Sequence, residues 1–102
     1  MNDTATAELV AAWENFSVPM RMRDGFNEAS YVALKEALAA CAVTWAESDT
    51  IPRLAVNVLV DILPTMDSFV EAYENPSMRT KIREAAFDLQ ELIWQCVAVE
   101  EA

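Results

Sequence analysis

The chain has 102 residues, one glycine, no histidine and a formal net charge of −10, from 17 acidic and seven basic side chains. One glycine is too few for a β-rich fold with many tight turns, and the lack of histidine removes Ser-His-Asp triads and di-iron sites built on Glu-x-x-His pairs. The excess of acid disfavours direct binding to nucleic acid or anionic membranes, because neutralising phosphates requires Lys and Arg.

The rest of the composition favours helices. Apolar residues make up 54% of the chain, above the usual share of about 45–50%. Ala, Leu, Glu and Met are frequent, and all are good helix formers. We therefore predict an all-α protein in which residues 1–102 form one domain, a compact bundle of four to five helices.

The first predicted helix begins at a cap provided by Asp3 or Thr4 and ends near Phe16. Residues 17–26 contain a proline and a glycine and lack a helical pattern, so we expect a connecting loop whose methionines fill gaps under the bundle.

The second predicted helix starts after Asn27, whose side chain can cap it. Phe26 and Tyr31 are placed for a hydrophobic staple across this start. Apolar residues then recur every three or four positions until a polar run ends the helix near Glu47.

The stretch 51–63 holds the densest apolar run in the chain. Arg53, Asn57 and Asp61 fall on one narrow arc of a helical wheel, and apolar residues fill the rest. A helix with so little polar surface must be covered on most sides, so we expect a buried central helix. Asp61 is interpreted as part of a solvated stripe rather than as a buried functional acid.

Pro64 follows that stretch, and we expect a break there, with a kinked but continuous helix as the alternative. Asn75 and Pro76 are typical of a helix start, as a cap and a first-turn proline. The last helix then runs to about Val99. Its core stripe alternates spacings of four and three residues and consists of Met78, Ile82, Ala85, Leu89, Leu92, Cys96 and Val99.

Phe87 and Trp94 are the main anomaly of the last helix. They project about 160–180° away from its core stripe on an ideal wheel. Large aromatic side chains outside the core must be covered either by another helix of this chain or by another molecule. With Arg83 and Gln90 beside them, they have the composition of an interface hot spot. We therefore predict these four residues as a partner-binding surface.

Two sets of acids are spaced at i, i+4 and i+7: Asp67, Glu71 and Glu74, and then Glu84, Asp88 and Glu91. Neighbours on such a stripe stand about 5–6 Å apart at Cβ, similar to the phosphates of a nucleic-acid strand. One hypothesis is that they imitate that charge and occupy a nucleic-acid-binding cleft. The interpretation we prefer is that they solvate ordinary helix faces.

The sequence contains little that indicates a catalytic, cofactor-binding or metal-binding site. Walker, Rossmann and EF-hand patterns do not occur, and we predict no catalytic, cofactor-binding or metal-binding residue. Cys41 and Cys96 fit core positions better than reactive thiols or a disulfide framework. The polar, acidic start is unlike a signal peptide, and no run approaches the roughly 18 apolar residues of a membrane span. We expect a cytoplasmic protein that is not an enzyme.

The expected function is therefore protein–protein interaction, with a basic or nucleic-acid-processing protein as the partner that the charge favours. Immunity proteins, antitoxins and phage-encoded inhibitors are similar in type, although no motif carries the resemblance. The alternative is a structural or regulatory homodimer that buries the last helix. A carrier of a small apolar ligand comes third.

Overall fold

A computed structural model describes residues 4–99, which form four α-helices. These are α1 (Thr4–Arg21), α2 (Glu28–Trp45), α3 (Arg53–Ala72) and α4 (Pro76–Val97). The predicted all-α bundle is confirmed, with four helices. The cap predicted at Asp3 lies outside the described residues, and Thr4 is already the first residue of α1.

The helices alternate in direction along the chain, and they form a ring in the order α1, α2, α4, α3. Neighbours along the chain within each hairpin are antiparallel, whereas α1 runs parallel to α3. Two hydrogen bonds show this direction: Trp13 donates to Asp61, and Tyr73 donates to the Met20 carbonyl. The residue numbers rise together along both helices. Because α2 and α3 lie diagonally opposite, the segment 46–52 crosses one end of the bundle.

One hydrophobic core receives side chains from all four helices. Its fully buried members include Leu9 and Phe16 from α1, Leu34 and Leu38 from α2, Ile62 and Met66 from α3, and Ile82 and Leu89 from α4. Each helix turns its apolar stripe inwards. Burying one such side chain contributes about 1.5–3 kcal/mol, so this cluster is the main source of stability. Within residues 4–99, no helix is both long enough and apolar enough to cross a membrane.

The α1 helix continues to Arg21, so the loop predicted over 17–26 is wrong in its first half. Met20 is fully buried and lies four residues after Phe16, which extends the core stripe by one turn. This burial outweighs the backbone hydrogen bond that Pro19 cannot donate. The local proline signal was therefore overridden by packing.

The connection between α1 and α2 is the shorter segment 22–27. It turns through two left-handed residues, Arg23 with φ 62° and Gly25 with φ 99°. The Arg23 guanidinium lies 5.7 Å from the ring centroid of Tyr73, which holds this strained residue against the bundle. Met22 is 67% exposed and does not fill a gap under the bundle.

The predicted caps of α2 and α4 are confirmed. Asn27 accepts a hydrogen bond from the Ser30 amide at 2.9 Å, and Asn75 accepts one from the Met78 amide at 3.0 Å. The staple across the start of α2 also forms, with the rings of Phe26 and Tyr31 5.2 Å apart at their centroids.

The α3 helix is continuous through Pro64, so the predicted break is wrong. Ile62 and Met66 on either side are fully buried and hold both halves of the helix on the core. Pro64 itself is exposed, so its missing backbone donor falls on the solvent side. The Ser68 hydroxyl donates to the Pro64 carbonyl at 3.2 Å and supports the following turn.

The α3 helix is amphipathic, which corrects the prediction that 51–63 forms a helix buried on most sides. Its inward side lies in the core, but Leu54, Val56 and Val60 are 57%, 40% and 64% exposed. The reason is topological. α3 stands at a corner of the ring with α1 and α4 as its neighbours, so its outer side has no helix against it.

Candidate functional site

The α4 helix carries a second stripe of side chains outside the core. Phe87 is 73% exposed and Trp94 is 56% exposed, so no helix of the described chain covers them. Arg83 and Gln90 share their side of α4, and the exposed Val97 continues the stripe. The spacing of three and four residues is the one with which helices pack against each other.

The α3 helix presents a matching row on the side next to α4. Val56, Val60, Leu63, Asp67 and Glu71 follow one another at intervals of four, three, four and four residues. On an ideal helix these five positions fall within a sector of about 80°. Leu63 is half-buried, and the other four side chains are exposed. Sequence reasoning missed this row because it assigned the outer side of α3 to the core.

We call the two rows together the α3–α4 face. It consists of Val56, Val60, Leu63, Asp67 and Glu71 on α3, and of Arg83, Phe87, Gln90, Trp94 and Val97 on α4.

A groove of about 710 Å³ lies between the two rows. It is lined by three members of the α3–α4 face from each helix, with Val70 and Ala86 at its base. Arg83, Phe87 and Gln90, three of the four predicted partner-binding residues, lie on its α4 side. Trp94 stands about one helical turn further along α4.

Unpaired charges line this groove. Asp67 and Glu71 belong to the α3 wall, and Arg83 belongs to the α4 wall. None of the three forms an ion pair with another described residue. A partner with basic groups can therefore pair with the two carboxylates without displacing an existing ion pair.

The six predicted acids do not form one surface. Asp67 and Glu71 lie in the groove, and Glu74 follows the end of α3. Glu84, Asp88 and Glu91 are exposed on α4 outside the lining of the groove. Asp88 is already engaged, since its Oδ2 accepts a hydrogen bond from the Tyr31 hydroxyl at 3.1 Å. The hypothesis that the acids imitate a nucleic-acid strand stays a prediction, with two of the six acids in the groove and the other four outside its lining.

A second cluster of charged and aromatic groups joins α4 to the start of α2; we call it the α2–α4 seam, formed by Phe26, Glu28, Tyr31, Lys81 and Asp88. Burial, followed by the neighbouring Asp88 carboxylate, raises the pKa of Tyr31. Lys81 forms an ion pair with Glu28, and its Nζ lies 4.8 Å from the ring centroid of Phe26. Charged residues in this seam serve internal contacts.

Asp61 is exposed, as interpreted from the sequence, but it also has internal partners. Its Oδ2 accepts a hydrogen bond from Trp13 Nε1 at 3.1 Å, and its Oδ1 accepts one from the Thr65 hydroxyl at 3.2 Å. A buried indole N–H normally needs a hydrogen-bond acceptor. The sequence therefore predicts an acceptor for Trp13 but does not show which residue provides it. The structure assigns Asp61 to the α1–α3 contact.

Both cysteines are buried in the core. Cys96 Sγ donates to the Leu38 carbonyl at 3.2 Å, and burial raises the pKa of the Cys96 thiol to about 11. A thiol that stays protonated at neutral pH is a weak nucleophile. The core role predicted for Cys96 therefore has a physical basis in the packing of α2 against α4.

The chemistry of the α3–α4 face suits binding. It combines exposed aromatic rings, apolar side chains and unpaired charges in an open groove, which is the composition of a recognition surface. In residues 4–99, no three His, Cys, Asp or Glu side chains are grouped so that they could hold a metal ion. No family model, curated protein or solved structure matches the chain.

Proposed function

We propose that the protein acts without catalysis, by binding another protein through its α3–α4 face. The observation that carries this proposal is the exposure of Phe87 and Trp94 beside a groove with unpaired charges. Aromatic residues and arginine dominate the binding energy of protein interfaces, where they fill pockets on the partner. Two such aromatics aligned on one helix give a partner two fixed anchors.

The charge of the chain indicates which partners it meets most readily. A net charge of −10 accelerates encounter with a basic protein and slows encounter with an acidic one. A basic protein that processes nucleic acid fits this requirement, and a small helical protein bound to it would act as an inhibitor or companion. A chain with two cysteines and no disulfide framework in its sequence agrees with a reducing compartment such as the cytoplasm.

A homodimer is the second candidate, and one observation favours it. The stripe of Arg83, Phe87, Gln90, Trp94 and Val97 has the spacing of helix-packing interfaces. Two copies of the α3–α4 hairpin, face to face, would bury it in a four-helix interface. Like charge opposes this arrangement, because each copy brings the same excess of acid.

Site-specific photocrosslinking tests the proposal. A photoreactive phenylalanine analogue replaces Phe87 in one sample and, as a matched control, the exposed Val43 of α2 in another. We expect the probe at Phe87 to crosslink one dominant protein in host lysate, identified by mass spectrometry, and Trp94→Ala to abolish that product. Equal products from both positions would contradict the proposal. Light scattering on the purified protein separates the homodimer from binding to a different protein.

A further inference from the structure

We infer that the α3–α4 face receives an amphipathic helix of a partner protein, with basic residues against Asp67 and Glu71 and apolar residues against Val60 and Trp94. This inference rests on the proposed function and adds the shape and polarity of the bound segment. Three observations carry it: the form of the groove, the order of side chains along it, and its unpaired acids.

The form of the groove fits a helix. Two adjacent antiparallel helices leave a long depression on their outer side, into which the ridge of a third helix can pack. The α4 row extends over 14 residue steps from Arg83 to Val97, which is about 21 Å at 1.5 Å per residue. A segment of roughly four helical turns spans that length.

The order of side chains makes the two ends of the face different. Along α3, the row begins with Val56 and Val60 and ends with Asp67 and Glu71. The α4 helix runs in the opposite direction, so its Val97 end lies beside the valines and its Arg83 end lies beside the acids. One end of the face is therefore apolar, and the other end is charged.

The unpaired acids decide the chemistry of the occupant. Two carboxylates and one guanidinium line the charged end, and none of them has an ion-pair partner among the described residues. A basic helix complements this excess of acid. A second copy of the chain complements the acids poorly. Its own face supplies only Arg83 against the two carboxylates, and it brings a net charge of −10.

The two ends have different tasks. Exposed ion pairs contribute little to affinity, but they select partners and speed their encounter. Aromatic anchors supply most of the affinity. Substitution at Trp94 should therefore weaken binding, whereas charge reversal at Asp67 and Glu71 should change which helices bind.

A display library of 16-residue helical peptides tests this separation, with apolar heptad positions fixed and all other positions free. It is selected on the full chain, on the double variant Asp67→Lys/Glu71→Lys, and on the matched control Glu14→Lys/Glu36→Lys, which has the same net charge. Glu14 and Glu36 are exposed residues of α1 and α2. Circular dichroism confirms that all three proteins are helical.

We expect the unmodified chain and the control to enrich basic peptides and the groove variant to enrich acidic ones. The best basic peptide should bind at least about tenfold more weakly to Trp94→Ala. Enrichment without charge preference, or the same preference in all three selections, would overturn the inference.

Light scattering separates failure of the inference from failure of the proposed function. A dimer that Trp94→Ala dissociates would assign the face to a second copy; the inference would be wrong, while recognition through the α3–α4 face would stand. A monomer that enriches no peptide and gives no Phe87 crosslink would overturn both.

Discussion

The α2–α4 seam and the α3–α4 face use the same kinds of residue on two sides of one helix, and they differ in whether those residues are paired. In the seam, Lys81 forms an ion pair with Glu28, and the Tyr31 hydroxyl donates a hydrogen bond to Asp88. On the face, Phe87 is exposed, and the exposed Arg83 forms no ion pair with Asp67 or Glu71. Composition alone therefore does not show whether such residues are paired within the chain. Their contacts in the folded structure do.

The largest expected difference lies between the aromatic residues of the two regions. Tyr31→Ala removes a buried ring that packs against Phe16 and Phe26, so we expect a loss of about 3–5 kcal/mol in the free energy of unfolding. Phe87→Ala removes an exposed ring, and we expect a change within about 0.5 kcal/mol. Urea denaturation followed by circular dichroism measures both. Similar losses would show that Phe87 is packed in solution.

A smaller effect is expected for the hydroxyl of Tyr31 alone. Tyr31→Phe keeps the ring but removes the hydrogen bond to Asp88, which should cost about 1 kcal/mol. Asp88→Asn keeps a side-chain acceptor and serves as the companion variant. A loss from Tyr31→Phe as large as that from Tyr31→Ala would mean that the hydrogen bond, and not the ring, holds the seam together.

The seam also makes the stability of the fold depend on pH in the alkaline range. The pKa of Tyr31 is raised in the folded protein by burial and by Asp88. The unfolded chain therefore releases this proton first, and stability falls as pH rises above the ordinary tyrosine value of about 10. We expect Tyr31→Phe to flatten the decline in stability between about pH 10 and 11. An unchanged slope in denaturation series at these pH values would contradict this account.

The smallest expected difference concerns two bases near the start of α4. Lys81 and Glu28 are partly exposed, so Lys81→Ala should lower stability by about 0.2–1 kcal/mol, less at high salt. Arg83→Ala removes no internal ion pair and should change stability less. Denaturation at low and high salt compares the two variants. A larger, salt-sensitive loss for Arg83→Ala would show that Arg83 is paired with Asp67 or Glu71.

Local chemistry allowed part of this structure to be predicted. Asn27 and Asn75 are predictable as caps because a short polar side chain before an apolar repeat satisfies the first free amides of a helix. The periodicity of α4 also separated Phe87 and Trp94 from the core stripe. These features depend on residues within one or two helical turns of each other.

Features that depend on distant contacts were missed. In the sequence, Pro19 and Pro64 indicate a loop or a break, yet Met20 and Met66 are buried nearby and the helices continue. The outer side of α3 was assigned to the core because its sequence is apolar. Its exposure follows from the diagonal crossing at 46–52, which the spacing of residues within α3 does not encode.

The short turn at 73–75 has a consequence for recognition. It joins α3 directly to α4, so both walls of the groove belong to one helical hairpin whose inner sides are anchored in the core. Under the proposed function, the partner helix would therefore bind to a groove whose shape is set before contact. The entropic cost of ordering would fall mainly on the partner helix, and stabilising that helix before binding should tighten the complex.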